Sequence, residues 1–342
     1  MVTRSVFDFR DLAAPVLAAP MAGGPSTPQL AAAATNAGGL GFVPAGYLSA
    51  EVFAERLEAA QRLTTGPIGA NLFVPQPSAA TPAATAAYAE ALAGEAHRYG
   101  VGLGEPRWND DNWDAKLEVL LELRPAVASF TFGLPSAVER RRLTDAGVTT
   151  LATVTTLAEA RIAAERGIDA LVAQGPSAGG HRGTFDATAR PSEEPLDDLV
   201  ASIVANIDIT VVAAGGLTDG ADVRRVLQSG ATAAQLGTAF LLADEAGSNT
   251  VHRAALLDPQ FTETVVTRAF SGRYARGLRN RFISDHEADA PFGYPEIHYL
   301  TGPLRAASVS AGDPHAASLW AGTGYRRAQA ASAATIIETL LG

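Results

Sequence analysis

The sequence contains no cysteine among its 342 residues. Disulfide bonds, thiolate nucleophiles and cysteine-ligated zinc or iron–sulfur centres are therefore excluded. None of the six histidines has the spacing of a metal-binding motif such as HExxH. We therefore expect no metal site.

Three further features are missing. Lysine and arginine total 26 against 36 aspartates and glutamates, and no basic run offsets the net charge of −10, which argues against nucleic-acid binding. No stretch of about 18 uncharged apolar residues predicts a membrane-spanning helix. The first ten residues lack the apolar segment of a signal peptide. We expect a cytoplasmic protein that binds neither nucleic acid nor membrane.

What the sequence does contain is a repeating unit of a short apolar run, a glycine or proline break, and an alanine-rich amphipathic segment. Eight apolar runs predict strands at residues 16–19, 39–43, 68–72, 126–130, 148–154, 170–174, 209–214 and 233–237. Helices are predicted at 28–36, 51–63, 136–146, 157–166, 196–205 and 220–228. This alternation is typical of parallel βαβ units, and eight strands predict an α/β fold of the closed (β/α)8 type. A doubly wound open sheet is the alternative.

Two segments are longer than the repeat requires. Residues 74–112 follow the third strand and include a predicted helix at 85–99, and residues 244–316 follow the eighth strand. Long excursions on barrels usually cover the carboxyl ends of the strands. We therefore predict a barrel over residues 1–243 that carries the insertion 74–112. Residues 244–316 would form a smaller, mostly helical region over the substrate pocket, and residues 317–342 a last helix packed on the barrel.

The most informative motif is AQGPSAGGHRG at residues 173–183, directly after the sixth predicted strand. Loops at that end of barrel strands carry catalytic groups. Gly179 and Gly180 let the backbone approach a ligand closely, and His181 can exchange a proton near neutral pH. A lone histidine is more often a surface or core residue, but the setting of this one favours a catalytic role.

Two glycine motifs follow the seventh and eighth strands. Gly215 and Gly216, ahead of a helix N-terminus, and the QLGT segment at 235–238 offer backbone N–H groups, which predicts a phosphate site. The small residues at 19–24 suit close packing against an aromatic cofactor, although a tight turn would also explain them. Asn71 could bond the edge of a ring or could cap a helix.

Taken together, these segments resemble the nitronate monooxygenase family, also called 2-nitropropane dioxygenases. The matching stretches are APM at 19–21, NAGGLG at 36–41, NLF at 71–73, SFTFG at 129–133, AQGxxAGGHRG, VVAAGG, QLGTAF at 235–240, SGRxARG at 271–277 and WAG at 320–322. The resemblance implies a TIM barrel that holds FMN without a covalent bond. It also implies oxidation of alkyl nitronates, and of nitroalkanes, by O2 to a carbonyl compound and nitrite, through one-electron transfer to the flavin.

The resemblance assigns roles to individual residues as well. His181 falls on the family's catalytic histidine, and Thr131, Tyr299 and Met21 are expected in the substrate pocket. The expected FMN contacts are Pro20, Met21, Ala22, Asn71, Gln174, Gly179, Gly180, Gly215, Gly216, Gln235, Gly237 and Thr238.

Three positions depart from the family pattern. Thr131 stands where a pocket histidine is frequent, Ser177 where a glutamate is, and Thr323 where a glutamine is. Two alternatives therefore stay open. One is an NAD(P)H-dependent enoyl-thioester or quinone reductase of the same superfamily, which has a similar AGGH loop. The other is a flavin-binding protein without turnover of its own.

Overall fold

The computed structural model describes residues 7–342, and its centre is a closed barrel of eight parallel strands. The barrel strands are β1 (Val16–Ala18), β2 (Leu40–Pro44), β3 (Ile68–Phe73), β4 (Val127–Thr131), β5 (Thr149–Val154), β6 (Ala170–Gln174), β8 (Thr210–Ala214) and β9 (Ala233–Leu236). Three further strands lie outside the barrel: β7 (Gly180–His181), β10 (Thr264–Thr267) and β11 (Ala275–Leu278). The predicted (β/α)8 TIM barrel is confirmed.

Helices surround the barrel, and each follows one of its strands. They are α1 (Pro28–Asn36), α2 (Ala50–Arg62), α5 (Trp113–Leu123), α6 (Ala137–Asp145), α7 (Leu157–Glu165), α8 (Leu196–Asn206), α9 (Gly220–Gln228) and α13 (Ala333–Leu341). The last of these, α13, contacts both α1 and α9 and so closes the ring. The two excursions hold α3 (Pro82–Ala91), α4 (Ala93–Tyr99), α10 (Thr250–Leu257), α11 (Arg281–His286) and α12 (Glu296–Ser310).

Short polar side chains determine where the outer helices begin. At α6, Ser136 Oγ accepts from Glu139 N at 3.3 Å, and the Glu139 carboxylate accepts from Ser136 N at 2.6 Å. This reciprocal cap satisfies two N–H groups that would otherwise lack partners. Thr27 and Ser49 cap α1 and α2 in the same way, with one bond each. Because the helix starts are fixed, the loops after the strands keep defined positions above the barrel.

Apolar side chains fill the amino-terminal part of the barrel interior. Leu17, Phe42, Leu151, Val172 and Val212 belong to one cluster, and each is at most 1% exposed. They come from strands on opposite sides of a closed barrel, so their mutual packing fills the lumen. A ligand site is therefore confined to the carboxyl ends of the strands.

A second, three-stranded sheet connects residues 264–278 to the chain that follows barrel strand β6. Strand β11 pairs with β10 and with β7, and Ala275 lies opposite His181. The sequence placed His181 in a loop, whereas it lies in this short strand. The physical reason is a long-range one: the turn at Gly180, with φ of 75°, lets the chain pair with a strand far along the sequence.

Other differences lie in the excursions. The predicted helix at 85–99 is two helices, α3 and α4, joined at Leu92. The predicted last helix is shorter, because a bridge between Gly277 and Trp320 and two short 3-10 turns occupy the chain ahead of α13. Helix α5 was not predicted. The division into residues 1–243, 244–316 and 317–342 stays a prediction. Within residues 7–342, none of the helices has the length and apolar character needed to cross a membrane.

A buried ion pair joins the two excursions. Glu95 on α4 is 6% exposed, and its Oε2 accepts from Arg281 Nη2 on α11 at 2.8 Å. Hydrogen bonding to this guanidinium lowers the pKa of the Glu95 carboxyl. A buried carboxylate left without its partner is strongly destabilising.

We predict that Arg281→Ala lowers the free energy of unfolding by about 2–4 kcal/mol at neutral pH, because Glu95 loses its partner. The pKa of Glu95 is lower in the folded chain than its ordinary value of 4.5, so the contribution is fully present above that pH. It is lost as the pH falls through the folded value. The difference between wild type and variant in urea unfolding should therefore shrink as the pH is lowered.

The matched control is Arg62→Ala. Arg62 forms an ion pair with Glu58 on the surface, where the two side chains are 67% and 48% exposed, respectively. It should change the free energy of unfolding by less than about 0.5 kcal/mol. Equal losses in the two variants, or a loss in Arg281→Ala that does not depend on pH, would contradict the prediction.

Candidate active site

The carboxyl ends of the barrel strands open into a cavity of about 340 Å³. That volume is within the range of small-molecule sites. The cavity is lined by His181, Pro20, Met21, Ala22, Asn71, Thr131, Gln174, Gly179, Gly180, Gly215, Gly216, Gln235, Gly237 and Thr238. The fold therefore brings together every residue expected at the site except Tyr299.

Tyr299 lies outside the lining of the cavity. Its hydroxyl accepts from Asn109 Nδ2 at 2.7 Å, and the Arg107 guanidinium lies 4.5 Å from the centre of its ring. His298 and Arg305 on the same helix line the cavity instead. The reason is helical geometry: residues seven apart share a face of a helix, whereas adjacent residues point about 100° apart.

His181 lies against a polar and an aromatic wall. Its Nε2 is 2.9 Å from Ser271 Oγ, and its ring centre lies 5.4 Å from that of Tyr294 and 5.6 Å from that of Trp320. Burial, and after it the charges of Arg273 and Arg305, lower the pKa of His181 to about 3. The imidazole is therefore neutral at ordinary pH, and one of its two ring nitrogens carries a free lone pair.

Gln174 holds the strand that carries His181. Its Nε2 donates to His181 O at 3.0 Å, and its Oε1 accepts from Gly183 N at 2.8 Å. Both ends of the amide are engaged with the chain around β7, so Gln174 positions His181 in addition to lining the cavity. The sequence carried no signal for this role, because the bonds from Gln174 to His181 and Gly183 form only when the chain folds back after β6.

Thr131, which stands where the family pattern frequently has a pocket histidine, accepts a hydrogen bond from Asn71. Asn71 Nδ2 donates to Thr131 Oγ1 at 3.1 Å and to Ser129 O and Oγ at 3.2 Å each. The amide nitrogen of Asn71 is thus used within the protein. Its oxygen makes no hydrogen bond with the part of the chain that the structure describes, and it remains available to a ligand.

Glycine is required where the loops around the cavity meet. A Cβ on Gly216 would lie 2.6 Å from Ser177 Cβ, and one on Gly179 would lie 2.5 Å from Gly322 N. Gly216 also has a φ of 74°, which L side chains rarely adopt. The loops after β6 and β8 and the WAG segment at 320–322 therefore pack into one wall.

This wall presents polar groups that have no protein partner. The N–H groups of Gly216 and Gly237 donate to no acceptor in residues 7–342, and Gln235 Oε1 is buried there without a hydrogen bond. The N-terminus of α9 is capped by its own Asp219, which accepts from Asp222 N at 3.0 Å. A phosphate would accordingly bind the loop N–H groups rather than the start of this helix. The free donors, the buried acceptor and the small residues at 19–24 fit a phosphate-bearing aromatic cofactor.

The sequence did not point to the cation that faces this cavity. Arg305 Nη2 donates to His298 O at 2.7 Å, and its Nε donates to Thr301 Oγ1 at 3.2 Å. Among residues 7–342 no carboxylate forms an ion pair with it. Burial lowers the pKa of Arg305, but a guanidinium stays charged in proteins. An enclosed cation without a counter-ion favours an anionic ligand.

Comparison with known proteins agrees with this arrangement. The model of the family described as nitronate monooxygenase matches residues 8–342. A protein from Staphylococcus aureus (strain MSSA476) named "Probable nitronate monooxygenase" is 35% identical over 337 residues, which are 96% of this chain and 93% of that protein.

Two solved structures are also similar. The nitroalkane oxidase from Streptomyces ansochromogenes has a TM-score of 0.92 and 47% identity, over 97% of this chain and 96% of the other. FabK from Thermotoga maritima has a TM-score of 0.74 and 25% identity, over 98% of this chain and 93% of the other. The family match spans the whole barrel and every residue of the cavity. The chain belongs to the nitronate monooxygenase family of flavin oxidoreductases.

Proposed function

We propose that this enzyme binds FMN and oxidises alkyl nitronates with O2 to a carbonyl compound and nitrite, and that it accepts nitroalkanes after removing their α-proton. The observation that carries the proposal is one cavity that holds both a neutral base, His181, and a cation without a counter-ion, Arg305. A nitronate is an anion, and the nitroalkane it comes from is a neutral carbon acid. The two side chains match these two forms of the substrate.

The residues at the ends of β8 and β9 are suited to hold the cofactor. We assign the phosphate to the free N–H groups of Gly216 and Gly237, and a polar atom of the ring or its side chain to Gln235 Oε1. Pro20 and Met21 would pack against the ring. When bound, the flavin would supply the electron-accepting chemistry that the side chains of the cavity lack.

We predict that Gly216→Ala weakens FMN binding about 10-fold or more, because the new methyl group is strained at this φ and collides with Ser177. The measurement is a fluorescence titration of the flavin-stripped protein with FMN. Gly94→Ala is the control, since no atom lies within 4 Å of a Cβ at that glycine on α4. Equal FMN affinity in the two variants would argue against the assigned phosphate site.

The role of His181 differs between the two substrates. A nitroalkane would lose its α-proton to the imidazole: the C–H bond breaks, its electron pair forms the C=N bond of the nitronate, the π pair of the N=O bond moves onto oxygen, and an N–H bond forms on the ring. A nitronate arrives without that proton. Proton removal by His181 is therefore required for the neutral substrate and is absent from the reaction of the anion.

The proposal is tested with the flavin-loaded enzyme and a preformed alkyl nitronate in air. We expect O2 uptake with nitrite and carbonyl formed in equal amounts, and no reduction of the flavin by NADPH under anaerobic conditions. A flavin that NADPH reduces and that ignores the nitronate would instead indicate an enoyl-thioester or quinone reductase. A bound flavin that responds to neither would indicate a flavin-binding protein without turnover.

Arg305→Met keeps an unbranched, flexible side chain but removes the guanidinium and its charge. Because a hydrogen bond to a charged group contributes about 1.5–3 kcal/mol, we predict that KM for the nitronate rises about 10- to 100-fold. KM for the corresponding nitroalkane should change little, and Arg305→Lys should recover part of the loss. Steady-state O2 uptake with each substrate measures both constants.

Arg107→Met is the control for this variant, because Arg107 lies on the ring of Tyr299, outside the cavity lining. It should leave both KM values unaltered. If Arg305→Met raised the two KM values by the same factor, the proposal that Arg305 recognises the negative charge of the nitronate would be wrong.

A further inference from the structure

The SGRxARG segment at 271–277 contacts the candidate base directly. Ser271 follows β10, is 1% exposed, and lines the cavity. Its Oγ lies 2.9 Å from His181 Nε2 and 3.2 Å from Arg273 O. His181 Nδ1 makes no hydrogen bond within residues 7–342. The hydroxyl of Ser271 is therefore a link between the imidazole and a backbone carbonyl.

We propose that Ser271 is a positioning residue that holds His181 in the tautomer with hydrogen on Nε2, which leaves the lone pair of Nδ1 free to accept the proton of a substrate. The inference rests on the proposed function in one respect, the use of His181 as a base. The tautomer itself follows from counting hydrogens.

A serine hydroxyl has one hydrogen, and a carbonyl oxygen has none. The contact with Arg273 O can be a hydrogen bond only if Ser271 donates its hydrogen there. The serine oxygen must then accept in its other short contact, so the hydrogen between the two side chains belongs to His181 Nε2. In a neutral imidazole the second nitrogen, Nδ1, is then unprotonated.

The opposite arrangement satisfies fewer groups. If Ser271 donated to Nε2, Arg273 O would lose this donor, and the ring hydrogen would lie on Nδ1. There it has no acceptor among the residues that the structure describes. An imidazole in that form could not take a proton at Nδ1, and its basic nitrogen would be occupied by Ser271.

The group that orients His181, the hydroxyl of Ser271, is uncharged, and the charged side chain nearby is the cation Arg273. The Arg273 guanidinium lies 3.9 Å from the centre of the Phe132 ring, which in turn is 5.8 Å from the ring centre of His181. A carboxylate bound to the imidazole would favour its protonated form. A serine hydroxyl and a carbonyl orient the ring without adding negative charge, so the base stays unprotonated between turnovers.

The tautomer can be measured directly by NMR on flavin-loaded enzyme labelled with ¹⁵N-histidine, with His181 assigned from its absence in His181→Asn. We expect a protonated Nε2 and an unprotonated Nδ1 in wild type and in Ser271→Thr, which keeps the hydroxyl. Ser271→Ala should give averaged signals from the two tautomers. A hydrogen on Nδ1 in the wild type, or an unchanged spectrum in Ser271→Ala, would overturn the proposal.

Turnover of a nitroalkane and of its own nitronate gives the second readout. We expect Ser271→Ala to lower kcat about 10-fold or more for the nitroalkane and about 2-fold or less for the nitronate, because only the first needs proton removal. Ser271→Thr should restore the nitroalkane rate. Equal losses on both substrates would refute the positioning role.

Ser308→Ala is the matched control, since it also removes a buried serine hydroxyl that donates to a carbonyl, that of Asp313, away from the cavity. It should leave the ratio of the two rates unchanged. Failure of the proposed function is recognised separately: wild-type enzyme would form no nitrite from either substrate, whereas the NMR spectrum would still report the tautomer.

Discussion

The candidate site depends on the two-residue pairing of β7 with β11. Ala275 lies opposite His181 and Arg276 opposite Gly180, so the glycine-rich turn after barrel strand β6 is held by a strand that follows the whole barrel in sequence. The same stretch of chain delivers Ser271 and Arg273 to the imidazole. Without this ladder, the turn around His181 would be held mainly by side chains, by the amide of Gln174 and the guanidinium of Arg182. Strand pairing with β11 and the Gln174 amide at the end of β6 therefore set the position of His181 together.

A second constraint is the balance of charge around the cavity. The chain has a net charge of −10, yet its enclosed cations near the site are bound to backbone carbonyls and aromatic rings. Arg182 Nη2 donates to Gln174 O at 3.3 Å, and Arg305 to His298 O at 2.7 Å. Carbonyl dipoles satisfy the N–H groups without cancelling the charge. Surface charges are screened over about 8–10 Å at physiological salt, so an anion inside the cavity experiences mainly these cations.

Local signals explain which parts of the molecule could be predicted. The barrel strands are mostly apolar runs that end at glycine or proline, and six outer helices lie in the alanine-rich segments between them, so these elements could be predicted from the sequence. Of the residues that line the cavity, those expected from the sequence could be predicted because each lies at the end of a strand or in the loop after it, and strand ends meet at one edge of a barrel.

Long-range contacts explain what could not be predicted. The pairing of His181 with Ala275 and the bond from Ser271 join segments far apart in the chain, and a two-residue strand has no detectable periodicity. The placement of His298 rather than Tyr299 depends on the rotation of α12 about its axis, which Pro303 inside the helix and a weak apolar pattern left undefined. Arg305 was missed for the same reason.

The three departures from the family pattern differ in what each position contributes to the cavity. Ser177 contributes its backbone carbonyl, which accepts from Thr323 N at 3.1 Å, so the contact between the two loops does not depend on either side chain. Thr131 keeps a polar role as an acceptor for Asn71. What its hydroxyl cannot supply is positive charge, and Arg305 supplies charge from a different element, helix α12. The substitutions therefore preserve the wall of the cavity, and under the proposed function the positive charge for an anionic substrate comes from Arg305 rather than from residue 131.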